Sequence, residues 1–144
     1  MGKKYKVGFT AGVFDLFHIG HLNLLSNCKE NCEYLMVGVL TDDFVEMLKG
    51  KRPFIPLEER MEIVKAIKYV DEVVPVDTHN TCKPDAWKLY HFDCCYSGDD
   101  HEQEDIWQKE KRKLQEMGSE MIFLPYTQST SSSHIRDLIE KRLL

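Results

Sequence analysis

Five short apolar runs punctuate the chain: YKVGFT at 5–10, YLMVGVL at 34–40, EVVPV at 72–76, CCYS at 94–97 and MIFLP at 121–125. Each is rich in β-branched, aromatic or sulfur-bearing residues and ends on a turn former or a charge, as buried strands do. Between them apolar positions recur at helical spacing over 20–31, 57–67, 84–90, 104–117 and 133–143. Pro56 ahead of LEERMEIVKAI suits a helix start, and Gly118 after KLQEM suits the position just past a helix end. Strands alternating with helices predict an α/β fold, a doubly wound parallel sheet of about five strands covered on both faces. No repeat, low-complexity tract or Pro/Gly linker divides the chain, so 1–144 reads as one domain.

Composition narrows the partners. The 144 residues are 42% hydrophobic and 30% charged, enough for one packed core and too few for two ordinary domains. A formal charge of −5 gives no general reason to expect a nucleic-acid or membrane surface, so small molecules are the expected partners. The N-terminal MGKKYKVGF has no apolar leader, and no segment approaches the ~18 apolar residues of a span, so a cytoplasmic location is expected. Cys28, Cys32, Cys82, Cys94 and Cys95 are odd in number, sit in apolar patterns and lack paired ligand spacing. They read as reduced core thiols.

Ligands of such folds sit at the carboxyl ends of the strands, which directs attention to the loop after the first run, AGVFDLFHIGH. Gly12 lets the backbone come close to a bound group, and the amides of Gly12, Val13 and Phe14 precede a helix N-terminus, a place suited to an anion. His18 and His21 flank Gly20, so two imidazoles converge beside a position without a side chain. Alone, such a pair is usually a helix cap. Further on, Lys49 and Lys51 bracket Gly50 in what reads as a mobile loop, and Arg60 follows PLEE on a helix. Asp99 and Asp100 in SGDD follow the fourth strand, where a carboxylate can hold a base amino group, orient a histidine or bind Mg²⁺ through water. Ser131, Ser132 and Ser133 open the last helix, whose amides and cap hydroxyl suit phosphate oxygens. Trp87 and Trp107 lie in helical patterns, where an aromatic is usually core.

Taken together, these stretches resemble the cytidylyltransferases of the HxGH nucleotidyltransferase superfamily, most of all the bacterial glycerol-3-phosphate cytidylyltransferases. GVFDLFHIGH resembles the family's signature, KGKRPFIPLEER its basic loop and following helix, KYVDEVVP its next helix-to-strand passage, SGDDHE its GDD turn, and YTQSTSSSHI its R-T-x-G-I-S-T-T motif. The resemblance implies a Rossmann-like domain that transfers CMP from CTP to a phosphate monoester such as glycerol 3-phosphate. The products would be CDP-glycerol, a precursor of cell-surface polymers, and pyrophosphate. It further implies a homodimer, Mg²⁺ arriving with CTP, and no protein metal ligands. By position, His18, His21, Lys49 and Arg60 are the implied catalytic residues. Gly12, Val13, Phe14, His18, His21, Lys51, Gly98, Asp99, Thr127, Ser131, Ser132 and Ser133 are implied to bind nucleotide, and Lys49, Lys68, Tyr126 and Arg136 the acceptor.

The chain departs from the family where Tyr126 replaces the motif arginine, Ser129 its glycine and Thr130 its isoleucine, and where Lys68 stands for another arginine. An ammonium keeps the charge and loses the bidentate fork. Heptose-phosphate adenylyltransferases also lack the motif arginine and share a stretch like RPFIPLEER, which keeps ATP in view. Phosphoethanolamine, phosphocholine, a sugar phosphate or a phosphonate are alternative acceptors. A nucleotide-binding module without turnover is the alternative of another class.

Overall fold

The computed structural model describes residues 4–81, 83–99, 102–125 and 131–143. The strands are β1 (Tyr5–Gly12), β2 (Cys32–Leu40), β3 (Glu72–Val76), β4 (Cys94–Gly98) and β5 (Glu120–Leu124). The helices are α1 (Ile19–Asn31), α2 (Asp42–Lys49), α3 (Leu57–Lys65), α4 (Lys83–Tyr90), α5 (Asp105–Glu116) and α6 (Ser132–Leu143). All strand pairings are parallel, in the order β3-β2-β1-β4-β5. The expected single-domain, Rossmann-like α/β architecture is therefore present.

Burial on both faces explains why the strands read as continuous apolar runs. On one face Leu25 and Cys28 of α1 and Val64 of α3 cluster with Leu35, Val37 and Val39 of β2. On the other, Ala86 of α4 and Leu114 of α5 cluster with Phe9, Met36 and Met121. Close spacing is needed at Gly8, where a Cβ would come within 2.6 Å of the Tyr96 ring. Cys28, Cys32, Cys94 and Cys95 are buried, as the apolar patterns predict, while Cys82 lies outside the described residues.

One element departs from expectation. Lys49 is the last residue of α2 rather than part of a loop. The Thr41 hydroxyl caps this helix by accepting from the Phe44 amide at 3.3 Å, Asp42 and Asp43 occupy its first turn, and Gly50 ends it at φ 78°. Phe44 and Val45 are its buried anchors. The basic loop is thus shortened to the residues after Gly50.

The chain order places a switch point beside β1: the first half winds outward through β2 and β3, and the second returns to β1's other side with β4. The crevice outside the carboxyl ends at that reversal is where open α/β sheets bind ligands.

Candidate functional site

The β1–α1 loop is built around a buried carboxylate. Phe14 and Leu16 adopt φ values of 55° and 51°, a left-handed conformation that costs bulky residues about 1–3 kcal/mol each. Asp15 between them is 2% exposed and offsets that strain. Its Oδ2 accepts from the Phe54 amide at 2.9 Å and from Arg136 at 2.8 Å, and its Oδ1 from the Ile55 amide at 3.0 Å. Its carbonyl accepts from the Ser132 hydroxyl at 2.6 Å. One residue therefore joins the β1 loop, the segment after the basic loop, and the start of α6. The motif contains this aspartate, but its type and spacing alone did not single it out.

The loop delivers the histidines to the start of α1. His18 is the N-cap: its Nδ1 accepts from the Gly20 amide at 3.0 Å, while the His18 amide donates to His21 Nδ1 at 3.2 Å. This reciprocal capping box uses both Nδ1 atoms as acceptors, so each neutral ring carries its proton on Nε2. The rings stack with centroids 3.9 Å apart. Burial is the main cause that pushes the His21 pKa down to about 4, the neighbouring His18 adds to it, and Asp15 opposes it. Burial also lowers the pKa of His18. The pair therefore rests as two neutral Nε2–H donors near neutral pH.

A cavity of about 470 Å³ opens over this loop. It is lined by Gly12, Val13, Phe14, His21, Lys49, Lys51, Ser132, Ser133 and Arg136 among others, so the structure gathers most of the expected phosphate-side residues. His18 stacks on the lining residue His21. Lys51 also makes an exposed 3.5 Å ion pair with Glu140 of α6. Ser131 caps α6, its hydroxyl accepting from the His134 amide at 3.1 Å. Arg136 has one arm on Asp15 and its guanidinium 4.4 Å from the Phe54 ring centre.

Four of the expected residues, Arg60, Lys68, Gly98 and Asp99, are not in that lining. Arg60, an implied catalytic residue, is 0% exposed and serves as an internal clamp. Its Nε donates to the Ile55 carbonyl at 2.8 Å, Nη1 to the carbonyls of Val13 at 2.7 Å and Leu40 at 2.8 Å, and Nη2 to Asp42 at 2.7 Å. Those donors tie the β1–α1 loop to the end of β2 and to α2. Lys68 is exposed beyond α3 with its ammonium 5.2 Å from the Tyr69 ring centre, and it lines a surface depression with Ser26 and Glu30, away from the histidines. Asp99 is exposed in a turn after β4, its carbonyl accepting from the Glu102 amide at 3.1 Å. Asp100, Tyr126, Thr127, Ser129 and Thr130 lie outside the described residues.

A second cavity, about 570 Å³, adjoins the first along Ala11, Gly12 and Val13 and extends toward α4 and α5. Gly98 belongs to its wall, as do Leu40, Leu48, Val76, Ile106 and Trp107. The sequence names Gly12, Val13 and Gly98 but does not mark this cavity as a site, because its residues come from eight separate elements.

The profile of the family described as cytidylyltransferase-like matches residues 9–138. An FAD synthase of Thermococcus sibiricus is 35% identical over 142 residues, covering 98% of this chain and 95% of that protein. The glycerol-3-phosphate cytidylyltransferase of Bacillus subtilis is 34% identical over 130 residues, covering 90% and 94%. Among solved structures, a lipopolysaccharide core biosynthesis protein from Thermoplasma volcanium superposes with a TM-score of 0.69 at 21% identity, covering 88% of this chain and 99% of the other. Pantothenate synthetase from Thermus thermophilus superposes at 0.66 with 15% identity, covering 94% and 64%. At such identities these two likenesses concern the fold alone. No helix among the described residues is long and apolar enough to cross a membrane.

Proposed function

The chain belongs to the cytidylyltransferase-like family, and from that premise we propose that it transfers a nucleotidyl group from a nucleoside triphosphate to a phosphate monoester. The observation that carries this is the stacked pair of neutral histidines, 3.9 Å apart, beside a cavity walled by Lys49, Lys51, Arg136 and the first turn of α6. An acceptor phosphate oxygen attacks the α-phosphorus in line. The new P–O bond forms as the bond to the β-phosphate's bridging oxygen breaks, and pyrophosphate leaves with the electron pair. The acceptor is already ionised, so no general base is required. His18 and His21 donate from Nε2 to oxygens of the α-phosphate, where negative charge must be offset. Lys49, Lys51 and the amides of α6 hold the leaving pyrophosphate. Mg²⁺ enters on the triphosphate as part of the substrate.

Two substrate pairs fit this chemistry. CMP transfer from CTP to glycerol 3-phosphate is supported by the motif spacing and by the Bacillus relative. AMP transfer from ATP to flavin mononucleotide, which would yield FAD, is supported by the archaeal relatives and by the second cavity. Its walls of Leu40, Leu48, Ile106 and Trp107 suit an aromatic acceptor better than a small polyol. A pyrophosphate-release screen of CTP and ATP against glycerol 3-phosphate, flavin mononucleotide, phosphocholine and phosphoethanolamine tests the proposal. Release with at least one pair is expected. Nucleotide binding without release from any pair would instead indicate a binding module.

A further inference from the structure

The second cavity contains an uncommon pairing. Lys83, at the start of α4, is 7% exposed, yet it lines the cavity. Its ammonium lies 5.1 Å from the centre of the Trp107 ring on α5, and its amide donates weakly to Glu110 at 3.4 Å. Burying an ammonium is costly, and the indole face and the nearby carboxylate offset part of that cost. The rim is apolar as well: Leu48 is 57% and Ile106 66% exposed, and both line this cavity. Together these groups present a flat aromatic wall, a fixed cationic donor and a greasy mouth. That combination suits a planar heteroaromatic ring with electron-rich oxygen or nitrogen atoms on one edge.

In-line displacement decides which substrate the ring belongs to, provided that the site performs nucleotidyl transfer as proposed above. Entering and leaving oxygens lie on opposite sides of the α-phosphorus. Lys49, Lys51, Arg136 and the α6 amides, on the first cavity's side, suit the leaving pyrophosphate. The acceptor therefore enters across Ala11–Val13, the wall shared by both cavities. We propose that Lys83 and Trp107 are specificity-determining residues that bind the planar heteroaromatic body of a phosphate-monoester acceptor. Its ring lies against Trp107, and the Lys83 ammonium donates to a ring carbonyl or nitrogen.

Flavin mononucleotide is the probe, because its fluorescence reports stacking without requiring turnover. Titration of the full chain should quench that fluorescence. Trp107→Leu and Lys83→Met should each weaken its binding roughly tenfold, as expected for lost base stacking and for a lost charged hydrogen bond. Trp107→Phe and Lys83→Arg should retain most of the affinity, which separates recognition from folding. Calorimetric Kd values for CTP and ATP should be unchanged in all four variants. In turnover, Trp107→Leu should raise KM for the acceptor and leave kcat intact. Absence of flavin mononucleotide binding, equal affinity in every variant, or weakened nucleotide binding instead would each overturn the assignment. Pyrophosphate release with glycerol 3-phosphate but no flavin mononucleotide binding would overturn it and leave nucleotidyl transfer standing. Variant-sensitive binding without release from any pair would support the pocket and sink the transfer chemistry.

Discussion

Asp15 and Arg136 lie 121 positions apart in the chain and meet at 2.8 Å, joining the β1–α1 loop to the helix that walls the first cavity. The carboxylate is 3% exposed and the guanidinium 21%, so water screens this pair less than a surface ion pair. Removing either partner should loosen both elements. Asp15→Ala and Arg136→Ala should each lower the denaturation midpoint, and the double variant should lose less than the sum of the two. A coupling of about 0.5–3 kcal/mol is expected for residues in one network. Additive losses in that double-mutant cycle would mean that the contact does not join the two elements.

Arg60 should behave as a structural residue. Its removal strands the carbonyls of Val13, Leu40 and Ile55 and one oxygen of Asp42. Arg60→Ala should cost about 3–5 kcal/mol of unfolding free energy, as breaking a buried charge pair does. Arg60→Lys should recover only part of that, because an ammonium cannot reproduce the planar fork. Urea titration measures both values. A wild-type midpoint in Arg60→Ala, accompanied by loss of nucleotide binding, would return this residue to the ligand side.

The depressed His21 pKa makes stability depend on pH with a definite sign. An unfolded histidine titrates near 6.5 and His21 in the fold near 4, so between those values the unfolded chain binds more protons. The His21 contribution is present above about pH 6.5 and is lost as pH falls toward 4. Denaturation midpoints at pH 7.0, 6.0 and 5.0 should therefore fall more steeply for wild type than for His21→Gln, whose amide does not titrate here. Parallel profiles would mean that His21 is not held neutral by the fold.

Much of this architecture was visible in the sequence, because strands buried on both faces leave continuous apolar runs that no helix of similar length explains. Helix α2 was harder to see: DDFVEMLK is short and runs straight into KGKR, so only its last residue, Lys49, was read, and that as part of the basic loop. Thr41 and Gly50 carried its boundaries in plain view. That Gly12, His21, Lys49 and Lys51 share one cavity was legible because a glycine, two imidazoles and two lysines have an obvious use together. The buried placement of Arg60 was not, since residue type cannot distinguish a guanidinium aimed at solvent from one bonded to three backbone carbonyls and a carboxylate. The second cavity was illegible for another reason: Lys83 and Trp107 are 24 positions apart and meet only because α4 and α5 pack on the same sheet face.

The central claim concerns the two stacked imidazoles, and it is tested most directly by steady-state pyrophosphate release from the substrate pair that the screen identifies. His18→Ala and His21→Ala should each reduce kcat roughly 10²-fold or more, the usual loss when a transition-state donor is removed. Circular dichroism should show the fold retained. Rates within a factor of about two of wild type in both variants would contradict a catalytic role for the pair.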